Sequence, residues 1–285
     1  MDIMEKIYIL LPVHNRKEIT RSFINCLTSQ TFKNYHLILI DDGSSDGTAE
    51  IVKEQVKNLT IIQGKGDWWW AGSLQQGYQW LQKNVISKSD IILIINDDTS
   101  FAEDFLATAV NTFSNKNHIL LSAYSYSLQT NKLFDAGVAI DWKNRKMFMT
   151  EEIALISCFS TRAIFLRWED FLLTGGFYPR LLRHHGADYE FTLRAIRKGM
   201  RPILNPSLRI WINELTTGYN SIGSEYGWKL IRQIFSIKSS LNPIPTTILI
   251  VLTCPWRWKI QYITSIWKTT VIIIFSNLFP RRPSM

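Results

Sequence analysis

Two adjacent carboxylates stand directly after an apolar run in the first third of the chain. Asn96, Asp97 and Asp98 follow the run Ile91–Ile95, which predicts a buried strand of a parallel sheet. Neighbouring carboxylates repel each other at the end of such a strand, so they contribute little to stability there. Carboxylate oxygens are good ligands for a divalent cation and, through it, for the phosphates of a nucleotide. The sequence therefore predicts either a cation and phosphate site or a polar turn that caps the strand.

Two further polar loops follow predicted strands. Residues 14–16 come after the apolar run 7–13, and the polar cluster 41–47 comes after a strand predicted at 35–40. Strands alternate with helices through the first hundred residues, with another strand at 59–63 and helices at 18–30, 48–57 and 74–84. This alternation predicts an α/β fold with a mostly parallel, Rossmann-like central sheet flanked by helices on both faces. Ligands of such sheets bind at the carboxyl ends of the strands, so the three loops are expected to converge on one site.

The second part of the chain has weaker patterns. It predicts a helix at 101–112, strands at 119–126 and 138–142, and mixed strand and helix signals at 153–165. Gly175 and Gly176 then introduce a polar segment and a helix predicted at 188–198, which Gly199 ends.

The composition, with 46% hydrophobic and 20% charged residues, is typical of a globular enzyme. The net charge of +8 lies in residues 226–285, which contain eight Lys or Arg and no Asp or Glu. The first 225 residues are neutral, with 24 basic and 24 acidic residues, which disfavours nucleic acid as a partner. Three widely spaced cysteines without metal-ligand spacing, and the lack of a signal pattern, favour a reduced cytosolic compartment.

Four motifs occur in order along residues 6–212. They are Leu11-Pro12-Val13-His14-Asn15-Arg16, Ile40-Asp41-Asp42-Gly43-Ser44-Ser45-Asp46-Gly47-Thr48, Asn96-Asp97-Asp98 and Gly186-Ala187-Asp188-Tyr189-Glu190-Phe191-Thr192-Leu193-Arg194. With these motifs the chain strongly resembles family 2 glycosyltransferases, which are inverting enzymes of GT-A fold with nucleotide-sugar donors. The segment Gly66-Asp67-Trp68-Trp69-Trp70-Ala71-Gly72-Ser73 resembles a branch containing bacterial rhamnosyl- and related transferases of surface polysaccharide assembly.

The resemblance implies a donor site made by the first two loops. Asp42 matches the family carboxylate that contacts the base or ribose, while Asp41 supports its loop. The segment under the nucleobase also has the chemistry of an ordinary strand-ending turn. The predicted donor-binding residues are Pro12, Val13, His14, Asn15, Asp42, Lys65, Ser73 and Asp97.

The third and fourth motifs imply a metal and a general base. Asn96-Asp97-Asp98 matches the family's DxD motif with Asn in the first slot, so Asp98 is the expected ligand of Mg²⁺ or Mn²⁺. Inverting transfer requires the acceptor hydroxyl to lose a proton as it attacks the anomeric carbon, and Asp188 occupies the family's base position. Ala187 stands where the family often has Glu, so one acceptor contact is expected to be missing.

Aromatic and imidazole side chains are predicted on the acceptor side. Trp69 and Trp70 can stack on a sugar ring or pack into the core. His184 and His185 either line the acceptor cleft or, in the case of His185, add a metal ligand. Glu190 either replaces the contact missing at Ala187 or pairs with Arg194 four residues later.

The basic tail predicts contact with a membrane surface. Trp228, Trp256, Trp258 and Trp267 lie among Lys and Arg, as in helices that rest in a membrane interface. Neither of its apolar segments, 243–256 and 262–279, is expected to span a bilayer. The alternatives are packing on the catalytic domain or a homodimer contact. The sequence thus predicts a catalytic domain at 1–225, with a nucleotide-sugar half to about 100 and an acceptor half at 101–225, and an amphipathic helical tail at 226–285.

These expectations combine into one functional hypothesis. It is a glycosyltransferase that acts on a glycan or lipid-linked acceptor in bacterial surface polysaccharide synthesis, peripherally bound to the inner face of the plasma membrane. The alternative is a non-catalytic nucleotide-sugar-binding or scaffold protein of the same pathway. A dinucleotide-binding oxidoreductase is disfavoured, because no G-x-G-x-x-G loop follows the first strand.

Overall fold

Nine strands of the described residues form one mixed sheet, and three more form a small antiparallel sheet beside it. The computed structural model describes residues 5–84, 86–114, 116–215 and 228–278. In chain order the strands are β1 Ile7–Val13, β2 Tyr35–Asp41, β3 Leu59–Gln63, β4 Ile91–Ile95, β5 Thr99–Phe101, β6 Ile119–Ser127, β7 Leu133–Asp135, β8 Gly137–Asp141, β9 Lys146–Thr150, β10 Cys158–Phe159, β11 Ala163–Arg167 and β12 Arg201–Ile212. The helices are α1 Lys17–Thr28, α2 Thr48–Gln55, α3 Trp69–Lys83, α4 Phe105–Phe113, α5 Trp168–Thr174, α6 Ala187–Arg197, α7 Trp228–Ile234, α8 Pro243–Thr253 and α9 Trp256–Leu278, with a 3₁₀ turn at Ile153–Leu155.

The nucleotide-binding half is a parallel sheet in the order β3-β2-β1-β4. Its central strands are buried on both faces, which is why β1 and β4 are continuous apolar runs. Alternate side chains of β1 enter two separate cores: Ile7 and Ile9 pack on the α1 and α2 side, while Tyr8 and Leu10 pack on the α3 side. The predicted sheet and its flanking helices are therefore confirmed.

The other half of the large sheet changes strand direction. β11 runs antiparallel to both β4 and β6, and β12 then pairs with β6 in parallel. Ala163 at the start of β11 lies opposite Ile95 at the end of β4. The segment 160–162 is therefore brought to the carboxyl edge of the parallel strands, beside Asn96.

Two predicted helices have different boundaries in the structure. Helix α3 begins at Trp69 rather than at residue 74, because the backbone N–H groups of Trp68 and Trp69 both donate to the Asp42 carboxylate. The helix predicted at 101–112 begins at Phe105, because Thr99–Phe101 forms the strand β5 against β12. In both places a long-range contact overrides the local pattern.

In its described residues, 228–278, the tail forms α7, α8 and α9, and α8 packs against α6 of the main body. Arg197 of α6 donates to the Thr253 carbonyl at 2.6 Å, and His185 lies 3.0 Å from the Lys238 carbonyl. The predicted boundary between residues 225 and 226 lies outside the described residues. Within the described ranges, no helix combines the length and the apolar character needed to cross a membrane.

Candidate active site

The three polar loops after β1, β2 and β4 meet at one edge of the sheet. Arg16 of the first loop contacts Asp97 and Asp98 of the third, each at 3.2 Å. Asn15 links the first loop to the second, since its backbone N–H donates to Ser44 Oγ at 2.9 Å and its side-chain oxygen accepts from the Ser45 N–H at 2.8 Å. The predicted convergence of the loops is confirmed.

Asp42 organises the loop that leads into α3. Its carboxylate accepts three backbone N–H groups, from Gly66 at 2.8 Å, Trp68 at 2.9 Å and Trp69 at 3.0 Å. Gly64 lies so close that an added Cβ would be 2.6 Å from Asp42 Oδ1. Asp42 is buried by these contacts and supplies the hydrogen bonds that the first N–H groups of α3 need.

The other predicted donor residues lie around this loop with different exposure. His14 places Nδ1 2.6 Å from the Asp42 carbonyl, and its Nε2 lies 3.3 Å from the Asn15 side chain. Lys65 is exposed at the rim, whereas Ser73 is buried inside α3. Lys65 is therefore accessible to solvent, whereas Ser73 packs inside the protein.

Asp97 and Asp98 point in different directions. Asp97 accepts a hydrogen bond from Thr20 Oγ1 at 3.0 Å and contacts Arg16, so its oxygens face α1. Burial raises the pKa of Asp97 to about 7, against the opposing effect of Arg16 and with a further increase from the Asp98 charge. Asp98 contacts Arg16 through one oxygen only. The two adjacent aspartates therefore differ in their contacts: Asp97 is bound to α1, whereas Asp98 has one oxygen outside its contact with Arg16.

The 96–98 loop, which consists of Asn96, Asp97 and Asp98, contains two oxygens that fit a cation site. Asn96 Oδ1 and Asp98 Oδ1 are buried and have no hydrogen-bond partner among the described residues. Buried polar atoms are rarely left without a partner, and oxygens of this kind are the ligands that Mg²⁺ and Mn²⁺ take. The first-slot Asn96 therefore offers a second ligand atom, which the sequence interpretation did not assign.

Asp188 lies in the first turn of α6, directly after Gly186, which has a φ of +82° and starts the helix. Asp188 is half-buried. Burial raises its pKa to about 6; the backbone N–H of Tyr189 and the charge of Arg162 oppose this increase, while Asp135 adds to it. A carboxylate that gains a proton near pH 6 is better suited to accept one from a hydroxyl than an ordinary aspartate is.

His184 and His185 differ in their free nitrogens. His184 is half-buried, and burial, followed by His185 and Lys238, lowers its pKa to about 4, so its ring is neutral at physiological pH. Its Nδ1 is buried without a partner among the described residues. His185 Nε2, in contrast, donates to the Lys238 carbonyl. The imidazole nitrogen that is buried without a partner among the described residues is therefore on His184.

The tryptophans connect α3 with the segments around Asp188. The ring of Trp69 makes an edge contact with His184, with 6.1 Å between ring centroids. Trp70 donates from Nε1 to Thr161 Oγ1 at 3.2 Å. Both rings are half-buried, so each packs on the protein while keeping some exposed surface.

Glu190 pairs with Arg194, as the spacing of four residues allows. Both carboxylate oxygens are 2.8 Å from the guanidinium, and Glu190 is buried. Arg194 also donates to the carbonyls of Thr174 and Gly176. The Glu190 carboxylate is therefore used to fix the segment between α5 and α6.

A separate group of potential ligands lies at the opposite end of the sheet. His118, Glu169 and Asp170 have ligand atoms within 4.8 Å of one another. They adjoin the start of β6 and the segment before β4, because the Glu169 N–H donates to the Lys88 carbonyl. This group is distinct from the 96–98 loop, and His118 contacts Asp170 at 2.6 Å.

Solved structures that superpose on this chain include glycosyltransferases of GT-A fold. A Staphylococcus aureus TarS structure superposes with a TM-score of 0.62 at 14% identity over 95% of this chain and 55% of that one. The mannosyltransferase PcManGT from Pyrobaculum calidifontis, in complex with GDP-Man and Mn²⁺, gives 0.56 at 13% identity over 95% and 80%. The fold class of the chain is thereby confirmed.

The sequence assigns the chain more narrowly. Residues 8–171 match the model described as glycosyl transferase family 2, and residues 91–279 match glycosyl transferase family group 2. The chain belongs to glycosyl transferase family 2, a family of enzymes that transfer sugars.

Curated relatives are distant and mostly longer. A poly-beta-1,6-N-acetyl-D-glucosamine synthase of Staphylococcus epidermidis is 32% identical over 111 residues, which is 36% of this chain and 26% of that protein. The glycosyltransferase AglE of Haloferax volcanii is 27% identical over 200 residues, 67% of this chain and 61% of that protein. The chain thus spans between about a quarter and three fifths of these two relatives.

Three residues at the site were given no role from sequence. Arg16 lies in the first motif, and the available signal was that its loop is predicted to converge with the acidic 96–98 loop. Asp135 and Arg162 lie in segments without a motif, and strand pairing alone brings them to the site.

Proposed function

We propose that this chain is an inverting glycosyltransferase that moves a sugar from a nucleotide-diphosphate sugar to a hydroxyl of a glycan or lipid-linked acceptor in bacterial surface polysaccharide synthesis. The observation that carries the proposal combines two features: Asn96 and Asp98 each have a buried oxygen without a partner in the described part of the chain, and Asp188 has a carboxylate of raised pKa. Arg162 joins the two parts, because its carbonyl accepts the Asn96 N–H at 3.1 Å and its charge acts on Asp188. The names of the relatives, which include a polysaccharide synthase, support the pathway.

The proposed chemistry divides between the two sides of the cleft. Asp188 accepts the proton of the acceptor hydroxyl as that oxygen attacks the anomeric carbon, a contribution of about 10²–10⁴-fold. Asn96 and Asp98, with His184 or His185 as a further candidate, would hold a Mg²⁺ or Mn²⁺ ion. When bound, the ion stabilises the negative charge that grows on the leaving diphosphate. Mn²⁺ in the structure of the PcManGT complex supports this assignment.

The donor side of the proposal rests on the first two loops. Residues 12–15 lie at the end of β1, where the exposed residues His14 and Asn15 present a surface to a nucleobase. Asp42 fixes the loop that carries Lys65, which is exposed at the rim as a phosphate contact requires. In this proposal the acceptor side of the site is lined by Trp69, Trp70, His184 and His185. A rhamnosyltransferase-like donor preference remains a prediction from the segment 66–73.

A screen of donors tests this proposal. Calorimetric titration with UDP-, GDP- and dTDP-sugars, with Mn²⁺ and with EDTA, is expected to give binding to one nucleotide class that weakens at least about tenfold in EDTA. The same donors are then tested for hydrolysis and for transfer. Binding with no turnover on any acceptor would support the scaffold alternative, and no binding to any nucleotide sugar would contradict both.

The tail is the proposed membrane contact. Trp256, Ile260, Ile272 and Phe275 of α9 are exposed by 83%, 69%, 56% and 58% of their surface. These side chains stand beside basic residues, and no acidic residue occurs in residues 226–285. Apolar side chains with a basic surround match an anionic bilayer surface, where each Lys or Arg contributes about 1 kcal/mol. In this proposal residues 1–225 catalyse transfer and the tail holds them at the inner face of the membrane, near a lipid-linked acceptor.

Vesicle sedimentation tests the tail. Wild-type protein is expected to sediment with vesicles that contain anionic phosphatidylglycerol and much less with neutral phosphatidylcholine. Trp256→Ala with Ile260→Ser should weaken binding at least about tenfold, since each removed side chain withdraws apolar surface worth about 1.5–3 kcal/mol when fully buried. Leu128→Ser is the control, because Leu128 is 56% exposed outside the tail. A dimer that dissociates in the double variant, with vesicle binding unchanged, would support the homodimer alternative.

A further inference from the structure

An ion pair outside the family motifs lies beside the 96–98 loop. Arg162 Nε donates to Asp135 Oδ2 at 3.2 Å, and the Ser160 hydroxyl donates to the same oxygen. The Arg162 guanidinium also stands over the Phe134 ring, 5.0 Å from its centroid. Both charged side chains are mostly buried, with 19% and 16% of their surfaces exposed. The pair is therefore held by packing as well as by charge.

The backbone fixes Arg162 to the 96–98 loop. The Arg162 carbonyl accepts the Asn96 N–H at 3.1 Å, immediately before Ala163 pairs with Ile95. Asp135 ends β7, which pairs with β6 at Ser125. The strand β10 connects the pair to α6, because the Phe159 N–H donates to Thr192 Oγ1 at 3.0 Å and this hydroxyl donates to the Asp188 carbonyl at 2.9 Å, while the next residue, Ser160, donates to Asp135.

Arg162 has hydrogen-bonding capacity to spare. A guanidinium has five N–H donors, and only Nε is used by the hydrogen bonds found within residues 5–84, 86–114, 116–215 and 228–278. Its positive charge favours the ionised form of Asp188, whereas the negative charge of Asp135 disfavours it. The two members of the pair therefore act on the Asp188 carboxylate with opposite signs.

Several other titratable groups lie on α6 and on the elements packed against it. Cys158 of β10 is buried, and burial, followed by Asp188 and Asp135, raises the pKa of its thiol. Helix α8 has no titratable side chain, and Glu190 of α6 is paired with Arg194. The groups on adjoining elements include Tyr78 and Tyr124, whose pKa values burial raises, and Asp170 with its partner His118. Before α6 lie His184, whose ring is neutral above pH about 4, and His185, which is bonded to a carbonyl. Lys83 of α3, Tyr126 of β6, Glu169 of α5, and Tyr189 and Arg197 of α6 complete the set.

We propose that Asp135 and Arg162 are positioning residues that hold the Asp188 carboxylate in its working position and charge environment and couple it to the 96–98 loop. The inference rests on the proposed function, in which Asp188 is the base. Asp135 restrains the guanidinium, so that Arg162 supports the Asp188 carboxylate without closing a direct ion pair that would occupy its oxygens.

The test uses two substitutions with opposite expected signs. In Arg162→Gln, loss of the positive charge should move the acid limb of the kcat/KM profile to higher pH by at least about 0.5 pH unit. In Asp135→Asn, loss of the negative charge should move the limb to lower pH. Arg162→Lys should restore most of the wild-type limb. Arg209→Gln and Glu54→Gln, which change exposed charges elsewhere, are the controls.

Direct titration of the carboxylate separates this inference from the activity. Carbon-13 NMR of protein labelled at the aspartate carboxyl, with the Asp188 signal assigned by its loss in Asp188→Asn, reports the same two shifts without turnover. Opposite NMR shifts in a protein that transfers no sugar would uphold the electrostatic arrangement and overturn the proposed function. Shifts of the same sign, or none in folded variants, would overturn the inference. If Arg162→Gln does not fold, Arg162→Lys and Asp135→Asn decide the outcome.

Discussion

Replacing Asp188 with Asn is expected to lower sugar transfer about 10²–10⁴-fold while making the folded protein more stable at pH 7. The loss follows from removing the group that accepts the acceptor proton. Asparagine has nearly the same shape but does not take up a proton, so donor binding at the other loops should change by less than about threefold. Initial rates of transfer and calorimetric donor binding measure the two effects separately. Unchanged turnover would show that Asp188 is not the base.

The gain in stability follows from the sign of the Asp188 pKa shift. Because its pKa in the folded state is about 6, above the unfolded value of 3.8, the folded protein binds more protons between these pH values. Wild-type stability therefore falls as pH rises through that window, by up to about 3 kcal/mol, while asparagine has no such dependence. Asp188→Asn should thus unfold at a higher temperature than wild type at pH 7 and at nearly the same temperature below pH 4.

Thermal melts across pH 4–8 test this linkage. Asp104→Asn is the control, since Asp104 is exposed and its side chain makes no capping hydrogen bond to α4. Its melting temperature should follow that of wild type at every pH. A constant difference between Asp188→Asn and wild type across the whole range would contradict the raised pKa.

The parts of the fold that sequence predicts well are those in which local pattern and burial agree. The strands at 7–13 and 91–95 are buried on both faces, so their composition alone identifies them. The loops that follow them converge because parallel strands present their carboxyl ends at one edge. The family motifs then predict roles for individual residues, which the periodicity of apolar residues does not.

The remaining parts depend on long-range contacts. Helix α3 starts early because Asp42, more than twenty residues away, accepts its first N–H groups. Arg162 and Asp135 reach the cleft through the pairing of β11 with β4 and of β7 with β6. No local spacing indicates these contacts, since each joins segments that are far apart in sequence. The sequence also does not indicate the different contacts of Asp97 and Asp98, because adjacent identical residues differ only in what surrounds them.

Replacing Asp98 with Asn is expected to raise the Mn²⁺ concentration needed for half-maximal transfer at least about tenfold. The substitution keeps the shape of the side chain but removes the negative charge from one of the two buried, unpartnered oxygens of the 96–98 loop. It relieves repulsion with Asp97 but also weakens the contact with Arg16, so stability without metal should change little. Electron paramagnetic resonance of free Mn²⁺, titrated with protein and the preferred nucleoside diphosphate, measures the affinity without turnover.

Asn96→Asp is the matched variant, because it adds a negative charge to the loop from which Asp98→Asn removes one. A carboxylate in the first slot should bind Mn²⁺ more tightly, while in EDTA it should lower the melting temperature because a further negative charge joins Asp97 and Asp98. Mn²⁺ should then stabilise this variant more than wild type, by about 1.4 kcal/mol for each tenfold gain in affinity at saturating metal. Equal Mn²⁺ affinity in wild type, Asp98→Asn and Asn96→Asp would show that the 96–98 loop does not hold the metal.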